Sequence, residues 1–295
     1  MATTVIKKGQ PGSKALFKDS FLLHKLHSLS GVFPIGFFMI FHLTANSYAL
    51  RGETEFNTAV KAINYAPFVG LLEIAVIAIP ILFHAIYGVF IVREMQGPGG
   101  NVAHYGYSRN WLYILQRWSG VVALGYLLYH AWDTSLNKRI IEWSGMASDD
   151  VAYHTISYAA MVYRFADPVY LLGYIVGILA SAFHLGNGIF NFTIRWGIAI
   201  GKQAQQVSAF IGWGIGIGLT LMGWWIAGNF YLKSANYADA GPIRSQYTSV
   251  LDLAKKLAAK ETVQERQAGA ETAEKQAEDA GVPASEAPVG AGENR

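Results

Sequence analysis

Five long apolar stretches alternate with polar segments along the sequence. A helix needs about 20 apolar residues to cross the hydrocarbon core of a bilayer, and each stretch is long enough to do so. The stretches cover residues 27–50, 67–92, 110–133, 168–194 and 208–232. The pattern predicts an all-α membrane protein with five transmembrane helices, whose membrane domain extends over residues 27–232.

The two ends of the chain are polar and flank this membrane domain. Residues 1–26 contain five lysines, and positively charged segments tend to stay in the cytoplasm. Five crossings then place the long loop of residues 134–167 and the tail, residues 233–295, on the outer side of the membrane. The tail is expected to be charged and largely solvent-exposed, with a solvated helix over residues 248–280 and disorder over residues 281–295.

Composition narrows the chemistry that the chain can support. Of its 295 residues, 52% are hydrophobic and 15% are charged, and none is cysteine. A chain without cysteine cannot hold iron–sulfur clusters, disulfides or covalently attached c-type haem. No basic tract with interleaved aromatic residues is present, so nucleic acid is not an expected partner. Any metal centre must therefore use histidine or oxygen ligands.

Four of the eight histidines lie well inside apolar stretches, one in each of the first four. An ionisable side chain within a membrane is costly and is a candidate for function. A single histidine of this kind would be explained by a hydrogen bond between helices. Four on four different helices indicate a shared role. These histidines are His42, His84, His130 and His184.

Their depths along the predicted helices sort these histidines into two pairs. At about 1.5 Å per residue, His42 lies ~5 Å and His130 ~13 Å to the outer side of the middle of their stretches. His84 and His184 lie ~7 Å and ~4.5 Å towards the cytoplasm. Two histidines at similar depth can bind one haem iron from opposite faces. The sequence therefore predicts an outer haem held by His42 and His130, and an inner haem held by His84 and His184. A transporter that uses these histidines as a proton relay is the alternative.

A glycine follows two of these histidines by one helical turn. Gly88 lies four residues after His84, and Gly188 lies four residues after His184. Residues at this spacing share one face of a helix, so the glycines are expected to leave room for a flat macrocycle. Ordinary packing of small residues between membrane helices is the alternative.

Polar residues mark the cytoplasmic edge of the helices. The first and third stretches open alike, with LHSLSGV from residue 26 and LQRWSGV from residue 115. We expect groups at this edge to bind the propionates of the inner haem, because a guanidinium suits a carboxylate well. Interfacial snorkelling is the alternative for each arginine. The candidates are His27, Ser28, Arg117 and Arg195.

Six segments give the chain a specific resemblance to a known family. It resembles the five-helix, di-haem cytochrome b558 subunits that anchor bacterial succinate:quinone oxidoreductases, the succinate dehydrogenases and fumarate reductases. The resemblance covers roughly residues 20–232, and the tail extends beyond the family pattern. The segments are LHSLSGVFPIG (26–36), FHLTAN (41–46), LEIAVIAIPILFHAIYGV (72–89), RNWLYILQRWSG (109–120), YHAWDT (129–134) and YIVGILASAFHLGNGIF (174–190).

This resemblance implies a function and partners. The haem ligands of the family fall on the four histidines named above, with the first helix paired to the third and the second to the fourth. A flavoprotein subunit and an iron–sulfur subunit would dock on the cytoplasmic face. Electrons from succinate would pass through two haems b to a quinone in the lipid, with menaquinone favoured. The chain would thus be a subunit of a respiratory enzyme of the tricarboxylic acid cycle, with no flavin or dicarboxylate site of its own.

Two acidic residues are candidates for the chemistry of that quinone. Reducing a quinone consumes protons, so its site needs a proton donor within hydrogen-bond reach. Glu73 lies about two turns into the second stretch, and Asp133 lies just after His130 at the outer end of the third. Both are expected near the outer haem. A structural hydrogen bond is the alternative for Glu73, and a solvated helix end is the alternative for Asp133.

Two other functions remain open from the residues alone. One is the proton-relay transporter. The other is the di-haem anchor of a different respiratory oxidoreductase, such as a hydrogenase or a formate dehydrogenase, although the quoted segments argue against it. The direction of the reaction, succinate oxidation or fumarate reduction, is also open.

Overall fold

The computed structural model describes residues 21–94 and 106–279, and within these ranges every regular element is helical. The N-terminal segment up to residue 20 and the stretch expected to be disordered, 281–295, lie outside the described residues. The α-helices are Phe21–Ser30, Phe37–Asn46, Glu53–Asn64, Val69–Leu72, Ile79–Glu94, Ser108–Ala131, Asn137–Ser144, Asp149–His154, Tyr158–Phe165, Pro168–Arg195, Lys202–Lys233, Ile243–Gln246 and Val250–Asp279.

Four helical spans in the described ranges are long and apolar enough to cross a membrane. They are the first span (Phe21–Leu50), the second span (Val69–Arg93), the fourth span (Pro168–Arg195) and the fifth span (Lys202–Asp239). In the second span, only 6% of the most apolar window is buried inside the protein. Apolar faces exposed on this scale require a lipid or protein surrounding. The chain is therefore an all-α membrane protein.

The helix of the third predicted stretch, named the third helix, is Ser108–Ala131 and has 24 residues. At about 1.5 Å per residue this length is sufficient for a crossing. Its first half is more polar than the other spans, since it carries Arg109, Asn110, Gln116 and Arg117. The helix begins and ends close to the predicted stretch. Its membrane crossing, which would complete the five predicted crossings, remains a prediction.

Three π-helical turns interrupt the long helices. They are Gly31–Gly36, Glu73–Ala78 and Trp132–Leu136. The first contains Pro34, and Phe33 within it leaves the helical region with φ −116° and ψ 134°, which kinks the span. Turns of this type are uncommon and often accompany functional sites. The three turns contain Gly31, Glu73 and Asp133, respectively.

The chain divides into two compact units. The first unit consists of Met1–Asn46, Lys61–Gly125 and Ile175–Trp224. Its buried core joins Ala182 and Leu185 of the fourth span to Leu219 of the fifth span, and Met39 and Leu43 of the first span pack against them. The apolar side chains of three spans thus form one cluster.

Glycines allow the fourth and fifth spans of the first unit to approach closely. A Cβ on Gly186 would lie 2.5 Å from the carbonyl oxygen of Gly212, and one on Gly216 would lie 3.0 Å from that of Ala182. The two backbones therefore touch without intervening side chains, as is common where small residues line a membrane helix interface. This contact attaches the fifth span, which has no histidine, to the fourth.

The second unit consists of Ser47–Val60, Tyr126–Tyr174 and Trp225–Arg295. Residues 134–167 were expected to form a loop, but they fold into three short helices, two of which begin at serine caps. Ser148 accepts a hydrogen bond from the backbone of Val151, and Ser157 accepts one from Ala160. Ala159, Ala160 and Val162 are fully buried. This segment is therefore a packed layer rather than a loop.

The tail helix, Val250–Asp279, also belongs to the second unit. Leu253 and Ala254 are fully buried, and Ala254 packs with Val151. The expected solvated helix is correct for the half that follows Val263, where the described side chains are exposed. It is wrong for the first half, because small and apolar residues at helical spacing there pack onto the helix Asp149–His154.

Candidate functional site

His84 and His184 come together in the first unit. The centres of their imidazole rings lie 6.1 Å apart, and the ring planes are nearly perpendicular, at 87°. His84 comes from the second span and His184 from the fourth. These are the two histidines whose predicted depths matched on the cytoplasmic side.

Backbone and hydroxyl groups of the first span hold the His84 ring. Its Nδ1 lies 2.9 Å from the carbonyl oxygen of His27 and 3.2 Å from Oγ of Ser30. A carbonyl oxygen can only accept a hydrogen bond, so Nδ1 must carry the proton. The neutral tautomer that results has its lone pair on Nε2, which is the form that binds a metal.

The third helix holds the His184 ring in the same way. Nδ1 of His184 lies 3.0 Å from the carbonyl oxygen of Gln116 and 3.2 Å from Oγ of Ser119. The side chain of Gln116 also donates to the carbonyl of His184 and accepts from Asn187. Gln116 and Ser119 occupy the same positions in LQRWSG as His27 and Ser30 occupy in LHSLSG. The repeated motif therefore builds two equivalent clamps, a role that the repeat alone did not reveal.

The glycine of each motif lies directly against the clamped histidine. A Cβ on Gly31 would lie 2.6 Å from Cε1 of His84, and one on Gly120 would lie 2.9 Å from Cε1 of His184. Contacts this short do not occur between real atoms, so a side chain at either position would displace the ring. Both positions therefore require glycine.

Gly88 and Gly188 each face a side chain of a neighbouring helix. A Cβ on Gly88 would lie 3.2 Å from Cε1 of His27, and one on Gly188 would lie 3.7 Å from Nε2 of Gln116. These glycines make room for the side chains at the second position of each motif. The alternative reading of them, helix packing, is the one that the contacts favour.

The distance between the His84 and His184 ring centres matches the distance expected if the two rings held one iron between them. An imidazole nitrogen binds a first-row metal at about 2 Å and lies roughly 1 Å from the centre of its ring, so two axial imidazoles have ring centres roughly 6 Å apart. The observed separation is 6.1 Å. No group of three or more histidine or acidic side chains in the described ranges could hold a metal ion. Two axial nitrogens suit a metal whose other ligands come from a macrocycle.

Two of the expected propionate-binding residues carry buried polar atoms without a partner. They are Nδ1 of His27 and Nε of Arg117. The His27 ring stacks on that of His84, with centres 4.0 Å apart, and the Arg117 guanidinium lies over the Tyr113 ring. A buried polar atom without a partner is costly, so both atoms fit a site that a carboxylate completes.

The other two propionate candidates already have partners at the protein surface. Oγ of Ser28 accepts a hydrogen bond from Nε1 of Trp196 at 3.2 Å and donates to the carbonyl of Lys25. Arg195 is exposed and donates to the carbonyl of His24 at 3.4 Å. Their role towards a propionate remains a prediction with less structural support than that of His27 and Arg117.

His42 and His130 fall in different units, and their pairing remains a prediction. His42, in the first unit, has Nε2 3.3 Å from the amide nitrogen of Asn46, which also donates to the backbone carbonyl of His42. His130, in the second unit, has Nδ1 2.8 Å from the hydroxyl of Tyr174. Each ring thus has a polar neighbour that orients it.

Asp133 lies in an ion pair rather than at a solvated helix end. Nε of Arg164 donates to its carboxylate at 2.6 Å, and a second guanidinium nitrogen donates to its backbone carbonyl at 2.7 Å. The third nitrogen donates to the carbonyl of Thr155 at 2.6 Å. Arg164 is only 4% exposed. The hydroxyl of Tyr170 lies 3.0 Å from the same carboxylate oxygen.

Glu73 begins the π-helical turn of the second span and is half-buried. Such a position suits a proton donor that a ligand in the lipid can reach.

One comparison with known proteins is informative. No protein-family model matches the chain. Over 203 residues, the chain is 36% identical to the succinate dehydrogenase cytochrome b558 subunit of Bacillus subtilis (strain 168). The aligned region covers 69% of this chain and 93% of that protein.

Proposed function

Because the chain belongs to the family of the succinate dehydrogenase cytochrome b558 subunit, we propose that it holds two haems b, with His84 and His184 on one iron and His42 and His130 on the other. Its role is that of the membrane-anchor cytochrome b of complex II. The observation that carries the proposal is the 6.1 Å separation of the His84 and His184 rings. When bound, haem b would supply one-electron chemistry at the iron that these histidines hold.

The residues around the inner pair prepare it for this role. The carbonyls of His27 and Gln116 hold both rings in the tautomer whose Nε2 can bind iron. Gly31 and Gly120 let the first span and the third helix lie flat against the rings. The partnerless atoms of His27 and Arg117 offer hydrogen bonds to propionates.

We also propose the path and the partners. As a subunit of a succinate dehydrogenase, the chain works with a flavoprotein and an iron–sulfur subunit, which we place on the cytoplasmic face beside the inner haem. In this role, the two haems would carry electrons from the iron–sulfur subunit to a quinone, which we take to be menaquinone. The N-terminus lies in the cytoplasm and the tail outside, in a bacterial inner membrane crossed five times.

A redox spectrum of the purified protein tests the function. We expect reduced-minus-oxidised spectra with two b-type haems for each chain, and co-purification of a flavoprotein that reduces both with succinate. A protein without haem would support the proton-relay transporter instead. Two haems that succinate cannot reduce in the purified complex would indicate the anchor of another oxidoreductase.

The motif glycines provide a sharper test of the inner site. Gly120→Ala is expected to lower the inner haem content severalfold, because its Cβ would lie 2.9 Å from Cε1 of His184. Gly125→Ala on the same helix is the matched control, since its Cβ would meet nothing within 4 Å. Pyridine haemochrome analysis of both purified variants measures the haem content. Equal haem content in the two variants would contradict this role of Gly120.

For the quinone, we propose Glu73 as the proton donor. Glu73 is half-buried at the start of the π-helical turn of the second span, whereas the Asp133 carboxylate forms an ion pair with Arg164. Glu73→Gln is expected to keep both haems and their reduction by succinate, and to slow quinone reduction severalfold or more, because an amide cannot supply the proton. Glu55→Gln, at an exposed glutamate of the helix Glu53–Asn64, is the control. Unchanged quinone turnover in Glu73→Gln would remove Glu73 from the site.

A further inference from the structure

A chain of hydrogen-bonded side chains, named the tyrosine file, connects His130 to Asp133 through Tyr174 and Tyr170 within the second unit. Nδ1 of His130 lies 2.8 Å from the hydroxyl oxygen of Tyr174, which lies 2.8 Å from that of Tyr170. The Tyr170 hydroxyl lies 3.0 Å from Oδ2 of Asp133. Arg164 then closes the file through its own bond to Oδ2 of Asp133. The two tyrosine rings stack, with centres 4.6 Å apart.

Counting protons gives the file a single direction. Arg164 has only donors, and its pair with Asp133 keeps that carboxylate as an acceptor. The hydroxyl of Tyr170 is placed to donate either to Asp133 or to Tyr174, but each tyrosine hydroxyl has only one proton. If Tyr170 gave its proton to Tyr174, the Tyr170 oxygen and Oδ2 of Asp133 would face each other at 3.0 Å with no proton between them. Tyr170 therefore donates to Asp133, Tyr174 donates to Tyr170, and the Tyr174 oxygen accepts from Nδ1–H of His130.

We infer that Tyr174 is the positioning residue of His130, and that the file of hydroxyls ending on Asp133 tunes the haem that His130 holds. This inference rests on the proposed haem site. A histidine whose Nδ1–H is bonded to an acceptor is a more basic ligand through Nε2. The acceptor here is a hydroxyl whose own proton points, through Tyr170, towards a carboxylate, and hydrogen bonds in such a chain strengthen one another. A more basic ligand favours ferric iron and so lowers the potential of the haem.

The clamps of the inner pair differ in this respect. Nδ1–H of His84 and of His184 donate to backbone carbonyls, which are neutral acceptors. Only His130, among the three histidines whose Nδ1 partner is described above, is connected to a carboxylate. The effect of breaking the file should therefore be confined to the outer haem.

Redox titration of the purified complex, monitored by the visible spectra of both haems, tests the inference. In Tyr174→Phe, the ratio of oxidised to reduced outer haem at the wild-type midpoint is expected to fall severalfold, with the inner haem unchanged. Tyr170→Phe should shift the same haem in the same direction by a smaller factor, because His130 keeps its acceptor. Tyr126→Phe is the matched control. Its ring packs beside His130 and Tyr174, but its hydroxyl is not part of the file.

The outcomes separate this inference from the proposed function. A wild-type protein without two b-type haems would defeat the proposed function itself. With both haems present, an unchanged outer haem in Tyr174→Phe, or an equal shift in Tyr126→Phe, would overturn the inference alone. If Tyr174→Phe does not retain the outer haem, Tyr170→Phe decides, because it leaves the contact with His130 intact. No shift in that variant would overturn the inference.

Discussion

Replacing His84 or His184 with alanine is expected to remove the same haem and to leave the other in place. Each alanine deletes one of two axial nitrogens, and a site formed by two ligands does not hold its iron firmly with one. The rings that now lie 6.1 Å apart would lose one side of the site. The purified variants should therefore each contain one b-type haem for each chain instead of two, with indistinguishable remaining spectra.

The matching variants of the outer pair complete this experiment. His42→Ala and His130→Ala should each lose the other haem, so that four variants give two spectra. Loss of the same haem from His42→Ala and His84→Ala would show that the pairing is wrong. His154→Ala serves as the control, since His154 lies outside the long helices and is bonded to Glu261 at 2.9 Å. It is expected to retain both haems.

Depth along a helix can be read from a sequence, and rotation about its axis cannot. Residue counts paired His84 with His184, because each residue advances the helix by a constant rise. The same counts could not say which neighbour faces Gly88. That glycine proved to face His27, and Gly31 proved to face His84. The repeated motif held the missing information, because its second, fifth and sixth positions form both clamps.

The segment between the third helix and the fourth span shows a second limit. Its apolar residues come in groups too short for a transmembrane helix, and polar residues at its helix starts resemble those of a loop. Arg164 lies in this segment, yet it is only 4% exposed. Its guanidinium donates to the carboxylate and the carbonyl of Asp133, 31 positions away, and to the carbonyl of Thr155, 9 positions away. Contacts between residues so far apart leave no periodic signal in the sequence.

The ion pair of Arg164 is the second place where one substitution should have a large effect. Arg164→Met would remove the guanidinium donor from the Asp133 carboxylate and from two backbone carbonyls. Breaking a buried ion pair by removing one partner costs about 4 kcal/mol. Some of this cost is offset here, because the Asp133 side chain is 28% exposed and keeps Tyr170. We still expect the thermal midpoint of the second unit to fall markedly, as measured by the loss of outer haem absorbance on heating.

An exposed ion pair in the same unit provides the comparison. Arg244 and Asp167 lie 3.6 Å apart, and their side chains are 46% and 38% exposed. Exposed pairs contribute roughly 0–1 kcal/mol, so Arg244→Met should melt close to the wild type. Equal melting of Arg164→Met and Arg244→Met would contradict the structural weight assigned to Arg164.

Arg164→Lys separates the charge of Arg164 from its geometry. A lysine keeps the positive charge opposite Asp133, but its compact ammonium cannot reproduce the three directed bonds of the guanidinium. If charge alone matters, Arg164→Lys should melt like the wild type. We expect it to fall between the wild type and Arg164→Met, because the carbonyls of Thr155 and Asp133 would still lose their donors. The same variant should keep the outer haem closer to its wild-type potential than Tyr174→Phe does, since a charged partner still holds Asp133 as the acceptor at the end of the tyrosine file.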